Sequence, residues 1–385
     1  MKKRTVAVIA TGFTGQQHTE ALRRISGNEV VALVDTDLEV LKKKAETLRV
    51  EKIYTDYKRM IEEVHPDVVH NCTPNGLHYE INKYVMEQGI HIYCEKPLAI
   101  TVEQGEELVK IAGEHHVAAG VNFNYRNNAI VQEMKERVKN GSVGRVFYVT
   151  GQYVQDWMML DTDYNWRLTS DMGGASRTVA DIGSHWFDTA QYALGKKIVA
   201  VRADFMTVHP FRKKYTKQAE TFVKEEGGAY ELVPIDTEDA AFIVVKFEDG
   251  TLGSLNLSQV SGGHLNDLRL EISGERCSME WQQQSPDVLT VGTRVFGIQS
   301  LRSAPGTLSG DAVRYATLPG GHPVAWSDAF RNGIKEYYAS IENGTFSQSG
   351  QSYATFADGV QIMKLVEACL LSAKSGQWVT LQKEN

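Results

Sequence analysis

Arg4-Thr5-Val6-Ala7-Val8-Ile9-Ala10-Thr11-Gly12-Phe13-Thr14-Gly15 is the stretch that decides the fold: an apolar strand runs straight into a glycine-bearing turn. In a Rossmann unit the chain turns sharply after its first strand, backbone amides approach a pyrophosphate, and the dipole of the following helix favours phosphate charge. Gly12 and Gly15 suit that turn, with Phe13 and Thr14 between them. A second apolar run, residues 29–34, ends at Asp35, twenty residues beyond Gly15. A carboxylate there can accept hydrogen bonds from an adenosine ribose and would repel a 2′-phosphate, so the expected cofactor is NAD before NADP. Ala10 replaces the first glycine of the usual fingerprint, and the two remaining glycines also suit a plain strand-to-helix turn.

The length, 385 residues, exceeds what one core usually holds, so two domains are expected. With 42% apolar and 23% charged residues the composition is that of a globular protein. A net charge of −7 gives no electrostatic footprint for nucleic acid or an anionic membrane surface. The basic start, Met1 to Arg4, is followed by only a short apolar run, so no export signal is expected, and no run reaches the roughly 18 apolar residues of a spanning helix. Cys72, Cys94, Cys277 and Cys369 are widely separated, which speaks against a zinc site or a disulfide framework and for a reduced, cytoplasmic protein without a metal.

Strand-like runs recur at 30–34, 68–71, 91–94 and 118–121, alternating with helix-like segments, the pattern of a parallel sheet covered by helices. Thr101-x-x-Gln104 offers a capping box for one of those helices. After a helical stretch at 129–139 the pattern turns β-rich, with runs at 145–153, 198–208, 240–247, 251–259, 268–273 and 277–281. Glu248-Asp249-Gly250 is a hairpin signal, because Asp-Gly tolerates positive φ. Residues 213–228 read as a polar loop, and Phe356, Val360, Met363, Val366 and Leu370 draw one apolar stripe on a helix. The expected fold is α/β: a Rossmann doubly wound parallel sheet over 1–122, then an α+β domain over 123–385 with a large, mainly antiparallel open sheet for substrate binding and oligomerisation.

Asp181 and His185 are four residues apart, so on a helix their side chains share a face and can meet one ligand. A histidine titrates near neutral pH and can take the proton of an alcohol as hydride departs, which makes His185 the candidate base. Lys96, just after a strand, brings a positive charge suited to a developing alkoxide. Asp-x-x-x-His alone fits an ordinary first helical turn equally well, and as a metal pair it lacks a third ligand.

Cys94-Glu95-Lys96-Pro97-Leu98, Asp181-Ile182-Gly183-Ser184-His185, Asn165-Trp166-Arg167 with Gly173-Gly174, and the glycine loop together resemble the Gfo/Idh/MocA family of NAD(P)-dependent oxidoreductases over nearly the whole chain. The resemblance implies a catalytic set of Lys96, Asp181 and His185. It implies cofactor contacts from Gly12, Phe13, Thr14, Gly15, Asp35, Thr73, Pro74, Asn75, His78, Glu95, Lys96, Trp166 and Arg167. Segments 122–126 and 153–157 look like the pocket segments of members acting on sugars, glycosides and anhydrosugars, which adds Tyr125, Gln155 and Trp157 to Lys96, Asp181 and His185 as substrate contacts. Neutral amides and aromatic faces suit a polyhydroxylated ring, although alternating aromatics on a β scaffold also suit a core or an oligomer interface. The expected activity is hydride transfer between NAD and a secondary alcohol of a sugar, sugar derivative or polyol, by a homodimer or homotetramer. An NAD-dependent glycosidase working by transient oxidation and elimination, and an NAD-sensing regulatory protein, are the rival functions.

Overall fold

The computed structural model describes residues 3–168, 174–215 and 228–381, and at Trp166 the backbone only. Two compact units divide the chain: Met1–Asn127 with Trp326–Gln361, and Asn128–Ala325 with Ile362–Asn385.

In the first unit β1 (Arg4–Ile9), α1 (Phe13–Arg23), β2 (Asn28–Val34), α2 (Leu38–Thr47), β3 (Lys52–Tyr54), α3 (Tyr57–Val64), β4 (Val68–Asn71), α4 (His78–Glu87), β5 (His91–Cys94), α5 (Val102–Glu114) and β6 (Ala119–Val121) follow in strict alternation. The strands form one sheet in the order β6, β5, β4, β1, β2, β3, all parallel, and Ala354–Thr355 adds an antiparallel edge on β6. Burial on both faces explains why β1 reads as an unbroken apolar run, with Val6, Ala7 and Val8 wholly inaccessible. The strand order reverses at β1, between β4 and β2, and in such sheets ligands bind at the carboxyl ends of the strands beside the reversal. Asp37, Asp56 and Thr101 cap α2, α3 and α5 by accepting backbone amides. Only half of the expected capping box forms: Thr101 accepts the Gln104 amide at 3.3 Å, while the buried Oε1 of Gln104 makes no hydrogen bond.

The helix Trp326–Glu342 belongs to this unit, where Phe330, Ile334, Tyr337 and Tyr338 join the apolar cluster of Val6, Val8 and Leu22, and the Tyr337 hydroxyl donates to the Ala118 carbonyl at 3.1 Å. Along the helix Phe356–Ser375 the expected stripe is followed at Phe356, Val360 and Met363. Val366 and Leu370 are only half-buried, and Leu365 and Cys369 take the fully buried positions beyond them.

The second unit contains α6 (Ala129–Lys139), β7 (Val146–Val154), α7 (Ser184–Leu194), β8 (Ile198–Met206), β9 (Phe211–Tyr215), β10 (Tyr230–Pro234), β11 (Ala240–Phe247), β12 (Leu252–Ser258), β13 (Asp267–Gly274), β14 (Ser278–Gln282), β15 (Val288–Thr293) and β16 (Gly297–Arg302). Its large open sheet runs β16, β15, β14, β13, β7, β12, β11, β8 and then Val379–Thr380, antiparallel throughout except for the β7–β12 pair. Gly250 takes φ 87° in the β11–β12 turn, as the Asp-Gly signal required. Residues 213–215 of the expected polar loop are strand, paired with β10, and 216–227 lie outside the described residues. Among the described residues no helix is long and apolar enough to cross a membrane.

One face of β7 and β12 receives α7 at unusually short range. Gly151 of β7 sits under Trp186, whose indole N–H donates to the Arg269 carbonyl at 3.0 Å, and a Cβ at Gly151 would overlap both groups. Gly183 likewise leaves room for Leu257 of β12. Gly151→Ala is therefore expected to force Trp186 off its carbonyl and to lower the unfolding free energy by about 1–3 kcal/mol. Urea unfolding measures it, and an unchanged midpoint with an unchanged slope would mean that the contact is not a constraint.

Candidate active site

At the carboxyl end of β1, Ala10 adopts φ 69°, the left-handed conformation that a glycine would take freely. The family-type turn is thus kept despite the alanine, at a cost of about 1–2 kcal/mol. Gly15 lies against the Ala10 carbonyl so closely that a side chain there would collide with it, whereas the position of a Cβ on Gly12 is open space. Gly12 is also the N-cap of α1 and offers no side chain to its amides, which leaves them for a ligand. Phe13 is exposed and Thr14 half-exposed beside them. Asp35 is half-buried, and its Oδ2 accepts the amide of Thr11 at 2.8 Å and the hydroxyl of Thr11 at 2.7 Å. The carboxylate therefore shapes the glycine turn as well as standing at the end of β2. An exposed amide edge, a gap where a side chain would intrude and a carboxylate one strand away fit a dinucleotide.

Beyond β4, the Thr73 amide and hydroxyl bind the Asn71 side chain, and Pro74 leads into a short 3₁₀ turn, Asn75–Leu77. His78 is fully buried, with Nδ1 2.6 Å from the Pro97 carbonyl and Nε2 2.8 Å from the Thr73 carbonyl. It joins the loops after β4 and β5. Burial above all lowers its pKa, against the opposing pull of those two carbonyls. Glu95 turns inward: Oε1 accepts from His18 Nε2 at 3.0 Å and from Asn122 Nδ2 at 2.7 Å, and Oε2 accepts the Lys96 amide at 3.2 Å. Burial would raise its pKa, but His18, then Asn122 and the charge of Lys96, outweigh it and bring the pKa to about 2. Lys96 itself is half-buried at the end of this turn. Tyr125 lies on the 3₁₀ turn Asn124–Asn127 with 3% exposure.

In the second unit the helix that bears Asp181 and His185 begins earlier than the motif. Its first part, Val179–Gly183, is a π turn that runs directly into α7, so Asp181 sits in the π turn and His185 in the α-helix. Glu238 caps this start by accepting the Val179 amide at 2.8 Å, the Arg177 amide at 3.1 Å and the Ser176 hydroxyl at 2.7 Å. The adjacent, fully buried Asp239 accepts from the buried Arg177 and Arg212 and from the amides of Val208 and His209. Burial opposes its charge, yet Arg177, the His209 amide and Arg212 hold its pKa below the usual carboxylate value. Arg212 also donates to the carbonyls of Met158, Leu160 and Asp163, fixing the segment that follows Trp157.

Asp181 receives a hydrogen bond from Gln259 Nε2 at 2.8 Å and faces Arg167 Nε at 3.8 Å. The Arg167 guanidinium lies over the Trp157 ring, 5.8 Å from its centre, and Trp157 donates to Gln155 at 2.9 Å. Asn266 Oδ1 accepts from Gln155 at 3.2 Å and from the Tyr153 hydroxyl at 2.5 Å, and the Tyr153 ring lies 6.3 Å from that of His185. Asp181, His185, Arg167, Gln155 and Trp157 are thus brought together at the carboxyl ends of β7 and β12. Trp166 is on the same 3₁₀ turn as Arg167, with its side chain outside the described residues, as is Gly173 of the motif. Gln259 and Asn266 were missed by sequence reasoning. Each is a lone amide at a strand end, with no motif around it, and only the sheet pairing brings it to the site.

A dinucleotide turn on one unit and an acid with a histidine on one helix of the other define a dinucleotide-dependent oxidoreductase. The chain belongs to the Gfo/Idh/MocA oxidoreductase family. Residues 4–123 match its NAD-binding Rossmann fold and residues 135–381 its C-terminal alpha/beta domain. Levoglucosan dehydrogenase of Pseudarthrobacter phenanthrenivorans is 26% identical over 395 residues, spanning 98% of each chain. D-glucoside 3-dehydrogenase of Escherichia coli is 28% identical over 64% of this chain and 67% of its own. Among solved structures, an oxidoreductase domain protein from Kribbella flavida is 26% identical over all of both chains with a TM-score of 0.88. A levoglucosan dehydrogenase in complex with NADH and levoglucosan is 25% identical over 99% of this chain and 100% of its own, with a TM-score of 0.87.

Glu95 carries a pH signature. Its folded pKa of about 2 lies below the ordinary 4.5, so the stability it contributes is complete above about pH 4.5 and is lost as pH falls towards 2. Glu95→Gln should be less stable than the parent at pH 7, with the gap closing through that window. Thermal unfolding at a series of pH values reads this directly, and a gap independent of pH would mean that Glu95 is not ionised in the fold.

Proposed function

We propose that the chain is an NAD-dependent dehydrogenase of a sugar, sugar derivative or polyol, acting at a secondary alcohol. The observation that carries this reading is the cluster on the second unit. There an acid and a histidine on one helix stand among three amide side chains, two aromatic rings and a guanidinium, a set suited to the hydroxyls and ring face of a sugar or polyol. NAD, when bound at the glycine turn, supplies the hydride acceptor. His185 takes the alcohol proton, Lys96 stabilises and positions the reacting oxygen, and Asp181, itself held by Gln259, orients His185 or a neighbouring substrate hydroxyl. Gln155 and Trp157 offer a hydrogen-bonding edge and an apolar face to the ring, and Tyr125 completes the proposed substrate set.

Gly12, Phe13, Thr14, Gly15 and Asp35 hold the cofactor on this reading, joined by Thr73, Pro74, Asn75, His78, Glu95, Lys96, Trp166 and Arg167. His78 and Glu95 contribute by fixing the loops that carry the others. The outward face of the large sheet presents Tyr148, Phe242, Val244 and Leu252, an apolar surface in support of a homodimer or homotetramer. Four buried free thiols support a reducing, cytoplasmic setting.

A spectrophotometric screen of sugars, glycosides and inositols with NAD and NADP tests the activity. Stoichiometric NADH is the expected product, and glycoside cleavage with NAD recycled would replace the dehydrogenase reading by elimination chemistry. Lys96→Met should keep the fold and NAD binding while turnover falls on the order of a hundredfold or more, and unchanged turnover would reduce Lys96 to a structural lysine. His185→Asn should abolish the rise of alcohol oxidation with pH on the acid side, and a variant that keeps the parental limb would leave Lys96 as the base. NAD should be preferred over NADP at low cofactor concentration, and Asp35→Ser should narrow the preference. Because Asp35 also holds Thr11, that variant should bind NAD itself more weakly, and equal discrimination in variant and parent would place the ribose elsewhere.

A further inference from the structure

Inside the first unit a chain of polar side chains links four elements that the chemistry above leaves separate. His18 of α1 and His70 of β4 are fully buried, and Tyr338 of the helix Trp326–Glu342 is 2% exposed. Nε2 of His18 lies 3.0 Å from Glu95 Oε1, Nδ1 of His18 lies 2.6 Å from Nδ1 of His70, and Nε2 of His70 lies 3.0 Å from the Tyr338 hydroxyl. An ionised carboxylate only accepts, so the hydrogen on the His18–Glu95 contact belongs to Nε2 of His18. Burial, and next to it His18, keep His70 neutral, with one ring nitrogen to donate and one to accept. His18 therefore cannot turn without giving up two hydrogen bonds, and edge contacts to Phe330 and Tyr93 fix the plane of its ring.

What the chain holds at its end is the peptide that carries Lys96. Oε1 of Glu95 is fixed by His18 and Asn122, which leaves Oε2 aimed at the Lys96 amide. His18 stands on the helix whose first turn forms the dinucleotide cradle. We infer that His18 is a positioning residue for Lys96, acting through Glu95, and that it ties the cofactor helix to the turn that presents the lysine. The inference rests on the reading of Lys96 as the group that meets the reacting oxygen. His70 and Tyr338 set the orientation of His18, so that one hydrogen-bonded line runs from the closing helix of the unit to the lysine turn.

The test is steady-state kinetics on the full chain, with NAD and the most active alcohol of the screen. Thermal unfolding and NAD binding are measured alongside. His18→Leu keeps the bulk and removes the donor, and its kcat should fall about ten- to a hundredfold, with the KM for the alcohol nearly unchanged, as a misplaced catalytic group implies. His18→Gln can still reach Glu95 with an amide and should recover most of that loss. In a Glu95→Gln background the leucine substitution should cost less than about twofold more, because both changes break the same link. If His18→Leu does not fold, His18→Asn replaces it: it is as polar as glutamine but one methylene too short to reach, and it should lose kcat where His18→Gln does not.

Parental kcat in His18→Leu, equal kcat in the asparagine and glutamine variants, or losses that multiply in the double variant would each overturn the inference and leave His18 as core filling. Lys96→Met, assayed in parallel, separates the two readings. If it is inactive while His18→Leu is parental, this inference alone falls. If it is fully active, the role of the lysine falls and the inference with it.

Discussion

Glu95 carries its negative charge in the interior of the dinucleotide unit, where loss of hydration alone would drive it to take up a proton. It stays ionised because every contact it makes is a donor, and those donors come from α1, from the segment after β6 and from the peptide of Lys96. A buried charge cannot exchange its partners for water, so the elements that supply the donors are tied to one another. Asp239 repeats the device in the second unit, where two arginines and two amides surround a wholly buried carboxylate. Its neighbour Glu238 caps the helix that carries Asp181. Of the residues assigned to chemistry, Lys96 and Asp181 are half-buried and His185 is buried, as are the carboxylates Glu95, Glu238 and Asp239 that hold their supports.

Close approach of backbone is the second constraint. The Ala10 carbonyl leaves no room for a side chain at Gly15, which brings α1 down on β1, and Gly151 lets Trp186 reach the Arg269 carbonyl beneath α7. Ala10 departs from the glycine pattern without departing from the turn, since its backbone takes the left-handed conformation all the same. The substitution costs energy and leaves the shape of the loop unchanged.

Much of this was legible in the chain. The runs at Val68–Asn71, His91–Cys94 and Ala240–Phe247, and the helix Ala129–Lys139, lie where apolar periodicity and turn residues place them. The hairpin Val288–Thr293 with Gly297–Arg302 was not, because its outer strand is exposed almost throughout and carries no alternation of buried and exposed positions. Nor did periodicity place the helix Trp326–Glu342 against the Rossmann core, since an apolar stripe states that a face is covered and not what covers it. The half-formed box at Gln104 has a related cause: spacing allows both hydrogen bonds, and the local packing of one side chain decides whether the second is made.

The sequence by itself determined the glycine turn with its carboxylate, the family, and the residue types available for proton and charge chemistry, because each is written in short motifs and in their order and spacing along the chain. Only the tertiary structure decided what surrounds them. His18 and His70 are 52 positions apart and Asp181 and Gln259 are 78 apart, and local sequence has no term that pairs them. Their pairing follows from the cost of leaving a buried polar group without a partner. That cost is settled only when strands and helices from distant parts of the chain have closed over it.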